Sequence, residues 1–160
     1  MTNPATGRTD IAIRRILAPT DFSPASQKAL KYALGFARDF GSDLTLLHVL
    51  EPAVSPAFAG LPAAPAFSES ELADAEEGLR TLVELVRGAG VAAVRSRIRM
   101  GVATQEIVEA AKELDVDLIV IATHGFTGWK HFAIGSTAQR VARAAPCPVL
   151  VVREKEHDFV

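Results

Sequence analysis

One stretch of the sequence combines an apolar run, glycines and hydroxyl side chains in an order that suits the binding of an anion. The run IVIATHGFTGWKHFAIGS covers residues 119–136, and Gly135, Ser136 and Thr137 then open a predicted helix. Backbone N–H groups in the first turn of a helix have no partner within the helix, and the helix dipole favours negative charge beside them. A strand, a glycine-containing loop and a helix start in this order therefore predict a phosphate site, most readily one for a nucleotide.

Two common phosphate-binding motifs are absent from the sequence. It has no Gly-x-x-x-x-Gly-Lys-Ser/Thr loop, and no Gly-x-Gly-x-x-Gly follows the first predicted strand. The sequence also has no paired carboxylates and no nucleophile beside a base. We therefore expect ATP hydrolysis to be slow, if it occurs at all, and do not expect an efficient ATPase. His124 and His131 lack the spacing of a metal site.

Strand-like and helix-like segments alternate along the chain. Apolar or alternating runs predict strands over residues 15–20, 44–50, 91–100, 118–122 and 148–152. Apolar residues at helical spacing predict helices over residues 24–40, 69–87, 105–114 and 136–145. This alternation predicts one doubly wound α/β domain, whose parallel sheet is covered by helices on both faces. Ligands of such sheets bind beyond the carboxyl ends of the strands.

The third predicted strand alternates strictly between arginines and other residues. Arg95, Arg97 and Arg99 occupy one face of residues 91–100. They could form an anion site, but a solvated face of an edge strand explains the same spacing without any ligand.

The segment from Glu51 to Phe67 is rich in alanine and proline, so it suits neither a regular helix nor a central strand. It is also too apolar for an ordinary solvated linker. Two interpretations stay open, namely a surface loop and a lid that covers a site.

The two ends of the chain are predicted to lie outside the domain. Residues 1–10 are predicted to form a flexible lead before the domain at 11–153, and residues 154–160 a polar tail.

Composition narrows the class of protein. A chain of 160 residues fits one domain, and a formal net charge of −2 favours neither nucleic-acid nor membrane partners. Its one cysteine, Cys147, allows no internal disulfide, which suits a reducing cytoplasm. The first ten residues lack the apolar stretch of a signal peptide, and no run is long enough to span a bilayer.

Several short motifs occur in order along the chain. Ala122-Thr-His-Gly125 is followed by nine residues and then by Gly135-Ser136. Pro19-Thr20-Asp21 and Leu47-His48-Val49 come earlier, and the run APCPVLVVR occupies residues 145–153. Together these motifs resemble the universal stress protein family of the nucleotide-binding kind, whose motif is glycine, two residues, glycine, nine residues, glycine and then serine or threonine. The resemblance covers about residues 13–153.

The resemblance implies a strand order of 3-2-1-4-5 and a set of nucleotide-binding residues. Asp21 would contact the nucleoside, and the backbone of Val49 would hold adenine. Met100 and Gly101 would wall the base pocket, and Ala122 and Gly125 would approach ribose and phosphate. The complete implied set is Pro19, Thr20, Asp21, Val49, Met100, Gly101, Ala122, His124, Gly125, Gly135, Ser136 and Thr137.

This sequence departs from the family pattern at two places, and the key residues also have simpler interpretations. Ala122 replaces the first glycine, and Phe126 stands where a basic residue is common. Gly125 could be only a turn former, Ser136 only a helix N-cap, and Asp21 only a loop hydrogen-bonder.

The function that the resemblance implies is a cytoplasmic stress-response protein that binds ATP, as a regulatory ligand or with very slow hydrolysis. Mg²⁺ or Mn²⁺ could accompany the phosphates. A homodimer is expected through the last strand, Val149 to Val152, because an apolar unpaired edge would otherwise be exposed. The alternative is an interaction module of the same fold that binds no nucleotide and acts through its dimer surface.

Overall fold

Strands and helices alternate from residue 15 to residue 152 in the computed structural model, which describes residues 11–52, 68–123 and 135–153. The strands are β1 (Arg15–Pro19), β2 (Asp43–Leu50), β3 (Val94–Met100), β4 (Leu118–Ala122) and β5 (Val149–Val152). The helices are α1 (Pro24–Phe40), α2 (Glu69–Gly88), α3 (Ala103–Glu113) and α4 (Ser136–Ala144). The main shift from the predicted bounds is that β3 begins at Val94, three residues later than expected.

All five strands run parallel in the order β3-β2-β1-β4-β5, which confirms the predicted doubly wound fold. β1 pairs with β2 on one side and with β4 on the other. The order of the strands therefore reverses between β1 and β4, and the carboxyl ends of these two strands flank the switch point where ligands of such sheets bind.

Each face of the sheet has its own apolar core, because alternate side chains of a strand point to opposite faces. On one face α1 and α2 pack against Ile16, Leu46 and Val120, which are fully buried. On the other face α3 and α4 pack against Leu17 and Ile119. The near-continuous apolar runs of β1 and β4 are thus explained by burial on both faces.

The ends of α1 follow the sequence signals closely. The Ser23 side chain accepts a hydrogen bond from the backbone N–H of Ser26, and Pro24 occupies the first helical position. Gly41 ends the helix in the left-handed conformation, with φ of 66°. The Ser23 cap therefore bounds the short loop that carries Asp21, between β1 and α1, and the Gly41 cap ends α1 just before β2.

The two edge strands differ in chemistry. Arg95 and Arg97 of β3 are exposed, as predicted for a solvated edge. The same prediction is wrong for Arg99, whose side chain is 23% exposed and forms ion pairs with Glu106 and Glu113 of α3. β5 pairs with β4 and carries only aliphatic side chains, three of them half-buried.

Candidate functional site

The predicted site residues that the structure describes lie at or just beyond the carboxyl ends of the strands. Pro19 ends β1, Met100 ends β3 and Ala122 ends β4, while Val49 is the penultimate residue of β2. Because the strands are parallel, their carboxyl ends share one edge of the sheet. Thr20, Asp21 and Gly101 follow their strands directly, and Gly135, Ser136 and Thr137 begin α4 beside the end of β4.

The loop after β1 is fixed by hydrogen bonds around Asp21. Its Oδ1 accepts from the backbone N–H of Ser23 at 3.1 Å and from the Ser23 hydroxyl at 2.5 Å. The interpretation of Asp21 as a residue that stabilises its own loop is therefore confirmed for this oxygen. The two bonds also orient the carboxyl group at the edge of the sheet, where a ligand hydroxyl or amine would find an acceptor.

His48 lies in β2, within the predicted strand 44–50, and its side chain contacts the same loop. Its Nδ1 lies 2.8 Å from the carbonyl oxygen of Thr20, and since a carbonyl only accepts, Nδ1 carries the proton. Phe22 packs on the imidazole with 4.6 Å between ring centroids. Phe22 also has a positive φ of 63°, which no pattern in the sequence predicts.

The start of α4 is tied to the end of β4 by a backbone hydrogen bond. The N–H of Gly135 donates to the carbonyl oxygen of Thr123 at 2.7 Å. Gly135 is the N-cap and Ser136 is the first helical residue, so the alternative interpretation of Ser136 as the N-cap is wrong. Ser136 is exposed and Thr137 is half-buried, so the hydroxyl of Ser136 is open to solvent beside this helix start.

The backbone N–H groups in the first turns of the four helices differ in their hydrogen-bond acceptors. Side chains of Ser23 and Ser68 cap α1 and α2, and at α3 the Glu51 carboxylate accepts from the N–H of Ala103 at 2.7 Å. Among the described residues no side chain caps α4, and Gly135 has none to offer. Within the described part of the chain, the first-turn N–H groups of α4 therefore lack a side-chain cap, and they could donate to an anion at this edge.

Ala122 adopts an ordinary strand conformation. It pairs with Val152, and among the described residues other than glycine only Phe22 and Asp115 have a positive φ. Alanine at this position therefore imposes no backbone strain, and its difference from the family's glycine is one methyl group. That methyl packs against the core under α1 and α2.

The structure also shows a charged cluster that the sequence patterns did not predict. The Nε atom of Arg99 donates to Glu106 at 2.6 Å, and its Nη1 atom donates to Glu113 at 2.8 Å. The hydrogen bonds to Glu113 and Glu106 raise the pKa of the Arg99 guanidinium, and the bond from Arg99 lowers the pKa of Glu113. In the sequence, the only indication of this cluster is the spacing of acidic residues three to four apart on α3. Their pairing with an arginine of a strand cannot be predicted before the fold is known.

A surface groove of about 490 Å³ lies between α2 and β3, on the flank of the sheet. Leu72, Leu79, Val83 and Ile98 give it an apolar floor, and Met100 is the one predicted site residue that lines it. It is therefore a separate feature from the switch point between β1 and β4.

Several predictions fall outside the described residues: His124, Gly125, Phe126, the lead 1–10, the tail 154–160 and all but the first two residues of the segment 51–67 interpreted as a loop or lid. Within the described part, no group of three or more His, Cys, Asp or Glu side chains is arranged to hold a metal ion. The helices seen there also include none whose length and apolar character would let it cross a membrane.

The model of the universal stress protein family matches residues 12–153. The chain belongs to the universal stress protein family. A universal stress protein of Methanocaldococcus jannaschii is 36% identical over 148 residues, which cover 91% of this chain and 85% of that protein. The structure of UspA from Lactobacillus plantarum superposes with a TM-score of 0.78 at 30% identity, over 90% of this chain and all of that one.

Two further universal stress protein structures were solved with nucleotides. One is a complex with cAMP, at 23% identity and a TM-score of 0.70, over 91% of this chain and 100% of that one. The other is the Archaeoglobus fulgidus protein with dAMP, at 23% identity and a TM-score of 0.65, over 88% and 98%. At this identity the two structures support the shared fold.

Proposed function

We propose that this universal stress protein binds ATP at the carboxyl edge of its sheet and serves in the cytoplasm as a nucleotide-responsive stress protein. The adenine would lie beside Val49, Met100 and Gly101, and Asp21 would accept a hydrogen bond from the nucleoside. The phosphates would lie at the start of α4, against Gly135 and the N–H and hydroxyl groups that follow it. The lone Cys147, which cannot form an internal disulfide, supports a reducing compartment.

The observation that carries the proposal is the start of α4. Among the described residues it is the one helix start without a side-chain acceptor, and the Gly135–Thr123 hydrogen bond holds it beside the end of β4. A phosphate would satisfy its N–H groups and would also gain from the helix dipole. The nucleotide complexes of family members with this fold add weight to a nucleotide as the source of that phosphate.

A divalent cation, Mg²⁺ or Mn²⁺, would be carried by the phosphates of the nucleotide. Hard cations of this kind bind oxygen ligands and keep several waters. We assign this cation no protein ligand, because the hydroxyls of Ser136 and Thr137 are proposed to contact the phosphate oxygens. Its contribution would be to neutralise phosphate charge, and the hydrolysis we propose is slow at most.

We also propose that the protein is a homodimer paired through β5. Val149, Leu150 and Val151 are half-buried in the isolated chain, and β5 is the last strand of the sheet. An aliphatic edge of this kind is a template for another strand. A second copy of the same chain would satisfy its backbone groups and cover its side chains.

Calorimetric titration with ATP and Mg²⁺ tests the nucleotide site, and Gly135→Val is the decisive variant. Gly135 has φ of −54° and ψ of 146°, which valine adopts without strain, so the new side chain changes the space for phosphate rather than the backbone. We expect heat of binding in the wild type and none in the variant. Gly35→Val is the control, because a Cβ at Gly35 meets nothing within 4 Å.

A wild type that gives no heat with ATP and comes without nucleotide in native mass spectrometry would refute ATP binding. The function would then be that of an interaction module of the same fold, acting through the β5 surface.

A further inference from the structure

The loop that carries Asp21 contains a residue in a disfavoured conformation. Phe22 has φ of 63°, in the left-handed region that bulky side chains rarely adopt. Such outliers occur at ligand sites, and they persist only where surrounding contacts hold them in place. The contacts of Phe22 therefore indicate what determines the shape of this loop.

Several contacts hold Phe22, and one is local, because its carbonyl oxygen accepts a hydrogen bond from Nε2 of Gln27 at 3.2 Å. Its backbone N–H donates to the hydroxyl oxygen of Thr20 at 3.0 Å. Its ring packs on His48 of β2, with an angle of 33° between the ring planes. A further contact comes from Gly78, in the middle of α2 on the same face of the sheet.

The contact with Gly78 leaves no room for a side chain. A Cβ built on Gly78 would lie 2.7 Å from Cε1 and 2.9 Å from Cζ of Phe22, closer than real Cβ atoms come to another carbon. Alanine is preferred to glycine in a helix interior, so a glycine at the centre of a 20-residue helix needs a reason. The seat that it makes for the ring of Phe22 is such a reason.

We propose that Gly78 is a positioning residue for the nucleotide site, acting at a distance through Phe22. The absent side chain makes the space that the Phe22 ring fills. The seated ring keeps the loop in the form in which Asp21 accepts two hydrogen bonds from Ser23. This inference rests on the proposed function for the ligand, while the link from Gly78 to the loop stands on the contacts alone.

A double-mutant cycle of ATP affinity tests the link. Gly78→Ala should displace the ring and weaken binding about tenfold, which corresponds to about 1.4 kcal/mol. Phe22→Ala should weaken binding to a similar degree, because the loop loses its anchor. With the ring gone a methyl at position 78 meets no obstacle, so the double variant should bind as Phe22→Ala does. Losses that simply add would overturn the inference.

A second measurement needs no nucleotide. In NMR spectra of the free protein, Gly78→Ala should shift the amide signal of Ser23, which reports its bond to Asp21, and the ring signals of His48. Gly88→Ala in the same helix is the control, because a Cβ there meets nothing within 4 Å, and it should leave both signals in place. Unmoved signals in Gly78→Ala would refute the positioning role.

The two measurements separate the inference from the proposed function. A wild type that fails to bind ATP, with signals that shift as described, refutes the nucleotide proposal and keeps the link between Gly78 and the loop. Equal ATP affinities of the wild type and Gly78→Ala would refute the link. If Gly78→Ala does not fold, recovery of folding in the Phe22→Ala background supports the link, and failure to recover contradicts it.

Discussion

The carboxylate of Glu51, one residue past the end of β2, accepts a hydrogen bond from the backbone N–H of Ala103 in the first turn of α3, 52 residues later in the chain. The N-cap of α3 is Val102, whose side chain offers no hydrogen-bond acceptor. Glu51 therefore does for α3 what Ser23 does for α1. A negative charge is also favourable at this end of the helix dipole.

Removal of this remote cap should lower stability without changing the fold. We expect Glu51→Ala to reduce the free energy of unfolding by about 1 kcal/mol, the usual cost of losing an N-cap side chain. Urea denaturation monitored by circular dichroism measures this change. Glu109→Ala, on the exposed side of the same helix, should cost less than about 0.5 kcal/mol. Equal losses in the two variants would show that Glu51 contributes no capping.

Gly101 is required both for its conformation and for its lack of a side chain. It has φ of 146°, and a Cβ would lie 2.8 Å from Oε1 of Glu106. Gly101→Ala should therefore cost more stability than Gly41→Ala, whose φ is 66° but whose Cβ would meet nothing within 4 Å. Strain alone predicts about 1–2 kcal/mol for the Gly41 variant. Thermal unfolding of both proteins decides the order, and a smaller loss at Gly101 would contradict it.

Acid should weaken the contact between β3 and α3. The hydrogen bond from Arg99 lowers the pKa of Glu113 below its ordinary 4.5, so the unfolded chain takes up this proton at a higher pH than the folded one. The stabilisation is complete above the unfolded pKa and is lost as pH falls through the folded pKa. The stability difference between wild type and Glu113→Gln should accordingly shrink as pH drops from 7 to 3. A constant difference in urea titrations across that range would count against the ion pair.

Much of the fold was predictable because its signals are local. The predicted bounds of α1, residues 24–40, agree with the structure, because Ser23, Pro24 and Gly41 are local signals of a helix start and end. The apolar run of β4 has the predicted bounds, since a strand buried on both faces needs no polar residue. Ser68 with Glu71 three residues later forms a full capping box, and this start of α2 is likewise marked by a local pair of residues.

The rest depends on contacts between distant segments. The pairs Glu51–Ala103 and Phe22–Gly78 join residues more than 50 positions apart, and no periodicity links their positions. Arg99 was expected in solvent because its spacing matches that of Arg95 and Arg97. It lies instead near the end of β3, where its guanidinium donates hydrogen bonds to two glutamates of α3. The roles of the predicted nucleotide-binding residues stay predictions.

Ala122→Gly tests how far this chain tolerates its departure from the family motif. Since Ala122 has ordinary strand geometry, glycine would relieve no strain and would only remove one methyl. We expect ATP affinity at least equal to that of the wild type, with a loss of stability of about 0.5–1 kcal/mol from glycine in a strand. Paired calorimetry and urea titration report both quantities. A gain from no binding to clear binding would identify the methyl as the obstacle in the natural protein.

The β5 edge gives the prediction for assembly. Val151→Lys would place a charge where the proposed partner strand packs, so it should convert a dimer into a monomer. Light scattering at micromolar concentration measures the mass directly. Leu85→Lys is the control, because it introduces the same charge at an exposed apolar side chain of α2 and should leave the mass unchanged. A wild type that is monomeric under these conditions would refute the dimer.

The unequal edges of the sheet also limit how far assembly can proceed. Growth of one continuous sheet through many copies needs an open, apolar edge on both sides of each copy. Here the arginines of β3 discourage strand addition on one side. A two-fold pairing through β5 would use up the other side, so the assembly would close at two chains. The double substitution Arg95→Val and Arg97→Val would remove this obstacle to strand addition, and we would then expect fibres in electron micrographs.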